Sequence, residues 1–310
     1  MKKILLISDV KGWGGWVRGQ YLQRYLSDYD VSLTDGEGFK QMWLDKQLDF
    51  DLYYPLFHTM ILWKSIKYLL DNNQKVITMV TGKKVIRASL KLAGRKALFM
   101  HEAKRLTAIG SNNFFGLEEL RSLMGDKFKG ETFYAPRGVD PEVFYPIGND
   151  TRFTVAYVGK PVYQKGLEDF IRPACEIAGV ELIANTRNYT EALPESDMNV
   201  FYNKAHAYVV ASTIDGTPNP ALEAASCGLP IISNVIGNMP DFIKEGLNGF
   251  IVERQVEAYA EKLKWMKNHI NETKAMGRVA RATILRDWTW EKVINSNERR
   301  LIDGILRTEQ

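Results

Sequence analysis

The chain has 310 residues, 45% apolar and 25% charged, with 24 Gly and 11 Pro; the length suggests two domains, and the composition supplies a core and excludes a disordered chain. Two cysteines, Cys175 and Cys227, are too few for a disulfide framework or a thiolate metal cluster. The net charge of +4 is uneven, with +6 over residues 1–146 and −2 over residues 147–310, so an anionic partner is expected on the first half.

In chain order, the opening MKKILLISDVKGW is apolar only as far as Ser8 and Asp9, too short for a signal-peptide core. No apolar run nears the ~20 residues that cross a bilayer, and a cytoplasmic protein is expected. Short apolar runs then alternate with helical patterns. Strands are predicted at 3–8, 31–34, 52–54, 76–80, 107–110 and 132–134, with helices that include 16–26 and 59–70. The segment 136–150, PRGVDPEVFYPIGND, has three prolines, two glycines and no apolar period, and reads as a hinge. The alternation restarts with strands at 153–158, 181–184, 207–211, 230–233 and 250–252 and helices that include 166–178 and 218–227; the tail 256–307 reads as almost wholly helical. Strands flanked by helices in this way make βαβ units and parallel sheets. Two such open sheets bind ligands at the carboxyl ends of their strands, in a cleft between them.

Three segments carry chemistry. After the first strand, Gly12, Gly14 and Gly15 precede a helix, where backbone N–H groups and the helix dipole suit an anion; a ligand-free βα turn is the plainer reading. After the first strand of the second half, Gly159-Lys160 and Lys165-Gly166 place two cations between a strand and a helix, as a diphosphate would require. Solvated loop lysines are the alternative there. The richest stretch is 209–252, where a strand runs into the turn Asp215–Pro220 and a helix that carries Glu223 in its first turn. Asp215 and Glu223 are suited to sugar hydroxyls, and the helix start to an anion; Glu223 as a capping acid is the structural alternative.

On these residues the chain resembles the retaining GT-B glycosyltransferases of the group 1 family. The glycine turn is matched by Gly14-Gly15 and the family hinge by Arg137-Gly138-Val139-Asp140 with Phe144 and Pro146. The diphosphate motif is matched by Gly159-Lys160 and Lys165-Gly166. The E-x7-E motif, with its A-x-x-x-G-x-P sequel, is matched by Asp215, Glu223, Ala224, Ala225, Gly228 and Pro230. The resemblance implies an α/β GT-B fold of two Rossmann-like, doubly wound domains facing a cleft. Residues 1–146 would form the acceptor side, 147–290 the nucleotide-sugar domain, and 291–310 a helix crossing back. It implies transfer of a hexose from a UDP- or GDP-sugar to an acceptor hydroxyl, with retention and with neither cofactor nor metal ion. Lys160 and Lys165 would hold the diphosphate, closed over by Gly14 and Gly15. Asp215 and the stretch Thr217, Pro218, Asn219, Pro220, Ala221 and Leu222 would face sugar and phosphate, and Glu223 the ribose. Asp215, Lys160 and Lys165 would be catalytic. The segments 181–185 and the loop before Met198 would flank the base.

The sequence departs from the family at three places. Asp215 is one methylene shorter than the family's glutamate, Lys160 lacks arginine's fork, and the stretch 78–82 ends at Thr81-Gly82 with no histidine. His58, Thr81, His101, Trp13 and Trp16 are the acceptor-side candidates. A predicted helix near 84–95 carries Lys84, Arg87, Lys91 and Arg95 on one face. It suits anionic lipid at the inner membrane face, a phosphate backbone or another polyanion, and equally a plain surface role; the acceptor is accordingly a glycan, a lipid-linked molecule or another polyanion. A non-catalytic nucleotide-sugar-binding subunit and a sugar-nucleotide epimerase of the same fold are the competing readings.

Overall fold

The computed structural model describes residues 1–12, 14–81, 96–126, 128–148, 152–186 and 195–307. The chain divides into two compact units, Met1–Arg137 with Glu291–Gln310, and Gly138–Trp290.

In the first unit the apolar runs form β1 (Lys3–Ile7), β2 (Asp30–Thr34), β3 (Leu52–Pro55), β4 (Ile77–Val80), β5 (Ala108–Ser111) and β6 (Glu131–Tyr134). All pair in parallel, in the orders β2-β1-β3 and β4-β5-β6, with a single Tyr53–Val76 bridge joining β3 to the approach to β4. Every residue of β3, β4 and β5 is buried, as strands covered by helices on both faces must be. The helices are α1 (Gly14–Tyr25), α2 (Gly36–Leu44), α3 (Lys64–Asp71), α4 (Lys96–Ala103) and α5 (Phe114–Met124). Short polar residues start two of them: Asp35 accepts from the Gly38 N–H at 2.9 Å and Asn113 from the Gly116 N–H at 2.8 Å, each satisfying an otherwise orphaned donor. The helix expected at 59–70 is broken into a 3₁₀ turn, His58–Leu62, and α3, because Trp63 between them is extended.

The second unit follows the same rule with β7 (Thr154–Val158), α6 (Arg172–Ala178), β8 (Glu181–Asn185), α7 (Glu195–Tyr202), β9 (Ala207–Val210), α8 (Asn219–Ser226), β10 (Ile231–Ser233), α9 (Met239–Phe242), β11 (Gly249–Ile251), α10 (Val256–Asn268) and α11 (Ile270–Thr283). Its parallel sheet has the order β11-β10-β9-β7-β8. The helix expected over 166–178 begins instead as a π turn, Leu167–Ile171. The regular helix starts only at Arg172, with Pro173, which has no N–H to donate, in its first turn.

The sequence puts the first boundary after residue 146, but the compact units part after Arg137. Val139 and Phe144 explain the shift, since both belong to the second unit's core, and Val139 pairs with Thr289. The tail is less uniformly helical than expected: π turns at Ile284–Trp288 and Ile294–Glu298 interrupt it, and Thr289 is extended. Its last elements, α12 (Trp290–Val293) and α13 (Arg299–Arg307), lead into the first unit. There Arg18 of α1 and Glu298 form a fully buried ion pair, joined by the Tyr54 hydroxyl at 3.4 Å from Glu298. Burial pushes the Glu298 carboxyl up, against the pull of Arg18. The Lys75 ammonium also donates to the Ile305 carbonyl at 3.0 Å. Among the described residues no helix is long and apolar enough to cross a membrane.

Candidate active site

Around β7 the second unit's strand order reverses, with β8 on one side and β9 on the other. Loops leaving the carboxyl ends of strands at such a switch point diverge and leave a crevice. A cavity of about 380 Å³ lies there. Gly159, Lys160 and Lys165 reach it from the loop after β7 and Asn185 from the end of β8. Asp215, Thr217 and Pro218 line it from the loop after β9, and Asn219, Pro220 and Glu223 from α8.

Local conformation aims these groups. Gly166 has φ +72°, and a Cβ there would lie 2.5 Å from the Ala211 carbonyl oxygen, so only glycine lets the lysine loop turn this tightly against β9. The Arg254 guanidinium packs over Phe170 and donates to that same carbonyl at 2.7 Å, pinning the turn. Lys165 Nζ then sits 2.5 Å from Asp215 Oδ2, so these two predicted residues meet each other in the site. Lys160 is exposed at the cavity rim.

Glu223 is not in the first turn of its helix. That helix begins at Asn219, so the carboxylate sits in the second turn and accepts a hydrogen bond from Tyr202 at 2.7 Å. Burial, and then the Glu223 charge, push the Tyr202 hydroxyl well above its ordinary value and hold it as a donor. The helix start offers fewer N–H groups than the sequence suggests. Pro218 and Pro220 have none, and those of Asn219 and Ala221 donate to the Thr217 and Pro218 carbonyls at 2.9 Å. Ala221 and Leu222 turn their side chains into the core and do not line the cavity. Thr217 Oγ1 and Asn219 Oδ1, by contrast, are buried with no hydrogen-bond partner in the protein. Two cavity tyrosines have no counterpart in the sequence reading. The buried Tyr208 exchanges bonds with the Val158 N–H and carbonyl at 3.2 and 3.1 Å, and Tyr157 lines the wall. Each belongs to a strand, at the place where its alternation brings a side chain over the crevice.

The remaining candidates fall in the first unit. The Gly14 carbonyl accepts from Arg137 at 3.0 Å, and Gly15 lies beside the Ser8 and Asp9 side chains at the carboxyl end of β1. Trp16 is half-buried under the Lys11 ammonium, 5.5 Å from its ring centre. Thr81 follows β4, half-buried, and His101 is exposed on α4. His58 is fully buried rather than open to an acceptor: Phe57 and Phe99 flank its ring, neither ring nitrogen has a partner, and burial pushes its pKa down to about 4. Apolar packing after β3 takes the side chain inward. Trp13 and the basic helix near 84–95 lie outside the described residues.

Residues 175–283 match the family model of group 1 glycosyl transferases. That match falls inside the second unit and spans Asp215 and Glu223. Among curated relatives, the D-inositol 3-phosphate glycosyltransferase of Frankia alni is 29% identical over 138 residues, 43% of this chain and 33% of that protein. The capsular polysaccharide biosynthesis glycosyltransferase CapM of Staphylococcus aureus is 24% identical over 260 residues, 74% of this chain and 65% of that one. The chain thus spans from a third to just under two thirds of the length of these relatives. Among solved structures, the sucrose-phosphate synthase of Thermosynechococcus elongatus superposes with a TM-score of 0.77 at 14% identity, covering all of both chains. Anabaena HepE in complex with UDP and glucose gives 0.74 at 12% identity, over 99% of this chain and 100% of that one. The fold is therefore GT-B, with two Rossmann-like α/β units of parallel sheet.

Proposed function

We propose that this protein is a glycosyltransferase that moves a hexose from a nucleoside-diphosphate sugar to an acceptor hydroxyl, with retention and without a metal ion. The observation that carries the reading is the gathering of Lys160, Lys165, Asp215 and Glu223 around one cavity at the switch point of the second unit. The group 1 match, which spans Asp215 and Glu223, and the UDP and glucose bound by HepE support it.

In this reading the base lies toward Asn185 and the ribose hydroxyls bond to Glu223, held in place by Tyr202. Lys160 and Lys165 take the diphosphate, whose charge grows as the bond from the sugar's anomeric carbon to the phosphate oxygen breaks, and fixed cations favour that developing charge. Lys165 turns from Asp215 toward the phosphate, and Asp215 is released to the sugar hydroxyls. Thr217 and Asn219 supply the bonding atoms that the protein leaves unused. The acceptor oxygen forms the new bond to the anomeric carbon on the face that the phosphate leaves, and its proton passes to the departing phosphate oxygen. Trp16 serves the acceptor.

The test is thermal unfolding with UDP, GDP, ADP and CDP, each with and without EDTA. One diphosphate is expected to raise the melting temperature selectively in both conditions, since a ligand at 100 times its dissociation constant adds about 2.7 kcal/mol. No rise with any of the four overturns the reading, and a rise abolished by EDTA overturns metal independence. Proton NMR of the glycoside product then reads its anomeric configuration, and an inverted product rejects retention.

A further inference from the structure

A second groove lies at the opposite edge of the first unit's sheet from its glycine turn. It is framed by the loop from α2 into β3 and the loop from α3 into β4, at the amino ends of those strands. Its cavity is about 220 Å³, the volume of about seven liquid waters at about 30 Å³ each, and so the space of one sugar ring.

The walls are aromatic. Trp43 at the end of α2 and Tyr68 on α3 face each other with ring centres 6.4 Å apart and planes tilted by 56°, and Tyr68 is 49% exposed. The rim is amide and cationic, formed by Lys46, Asn72 and Gln74. Asn72 Nδ2 donates to the Tyr68 carbonyl at 2.8 Å and Gln74 Nε2 to the Asn72 carbonyl at 3.4 Å. These bonds orient both amides and leave their side-chain oxygens as acceptors. Among the described residues, no carboxylate lines the groove.

The two loops are also built alike, and rigidly. Lys46 and Asn73 are the non-glycine residues with positive φ among those described, at 56° and 55°. Each closes the helix before it. The Gln47 N–H reaches back to the Met42 carbonyl at 2.9 Å, and the Gln74 N–H to that of Leu69 at 3.0 Å, in the manner of helix ends that normally carry glycine. A lysine in this conformation is strained where glycine would not be, and its side chain lines the groove. Aromatic faces beside fixed amides, on loops already ordered before binding, suit a ligand with an apolar ring face and a hydroxyl edge. A pyranose has both.

We propose that this groove is a saccharide-binding site, separate from the nucleotide-sugar cavity, in which a sugar ring lies against Trp43 and Tyr68. Its hydroxyls bond to Asn72, Gln74 and Lys46. The site would hold a glycan chain by a ring that does not react, and it does not depend on which donor the second unit takes.

Affinity electrophoresis of the full chain through native gels containing dextran, glycogen, laminarin or hydroxyethylcellulose tests it. At least one polysaccharide is expected to retard the protein. Tyr68→Ala, at an exposed position, should weaken the retardation at least tenfold, and Trp43→Ala should do the same. Tyr145→Ala, at an exposed tyrosine of the second unit, and Asp215→Ala, in the donor cavity, should leave it unchanged. Free passage through all four gels overturns the proposal. So does retardation that survives Tyr68→Ala and Trp43→Ala, or that Asp215→Ala removes, which would place the glycan in the donor cavity instead.

Discussion

The carboxyl edges of the two sheets share one topology and carry different chemistry. In each unit the first strand lies between the second and the third, so each has a crevice at the same place. In the second unit that crevice holds Lys165 against Asp215 and Glu223 under Tyr202. In the first, the corresponding strand ends offer Ser8, Asp9 and a glycine turn tied to Arg137, and the histidine after β3 is sealed among aromatic rings. Topology fixes where a ligand goes, and the loop residues decide whether there is fixed charge to meet it. In the proposed reading a diphosphate demands cations at set positions, which would account for the sequence pattern of the second unit's crevice.

The comparison breaks most sharply at Lys165. Lys165→Ala should lower the rate of glycosyl transfer by about 10²–10³-fold, the usual cost of losing one preorganised group that stabilises developing charge. It should also abolish the thermal shift caused by the nucleoside diphosphate. Steady-state rates and melting curves check both, and a variant of wild-type activity would remove the charge-based account of the second crevice.

The first crevice is tested through His58. Its pKa in the folded protein is about 4, against about 6.5 in an unfolded chain. The unfolded chain therefore binds the proton more readily between those values, and stability should fall as the pH drops from 6.5 to 4. The full difference is about 3 kcal/mol. Urea unfolding at pH 7 and pH 4.5 should show that loss in the wild-type protein, and His58→Leu should remove most of this residue's share. A slope unchanged by the substitution would mean that the ring can reach water and belongs to a working surface after all.

The smallest effect sharpens the contrast from within the second unit. Tyr202→Phe removes a hydrogen bond to a charged group, worth about 1.5–3 kcal/mol, and loosens the hold on Glu223. The dissociation constant for the nucleoside diphosphate, measured by calorimetry, should rise several-fold with the fold intact. An unchanged constant would mean that Glu223 needs no help to hold its place.

The parallel strands and the helices between them were legible because burial on both faces leaves continuous, largely apolar runs, as in β1, β4 and β9. Helix interruptions were not. The extended Trp63 has no signal of its own, and Pro173 betrays the π turn before it only once the backbone is traced. In the second crevice Lys160, Lys165, Asp215 and Glu223 could be read because charged residues stand at set distances from glycines and prolines. Tyr157, Tyr202, Tyr208 and the orphaned oxygens of Thr217 and Asn219 could not, because their importance comes from neighbours far away in the sequence. The boundary at Arg137 escaped for a related reason: Val139 and Phe144 look like hinge residues until Thr289 and the second unit's core are beside them.

The return of residues 291–307 to the first unit has a consequence for the order of events on the ribosome. Domains commonly fold in the order in which they are synthesised. Here the first unit is translated first, yet the partner of the buried Arg18 guanidinium is Glu298, and Lys75 anchors to Ile305. While those residues remain in the exit tunnel, the nascent first unit holds a cation facing an empty place in its core. The second unit, contiguous from Gly138 to Trp290, has everything it needs sooner. The earlier-made half is therefore expected to complete its core only once the chain has come back to it.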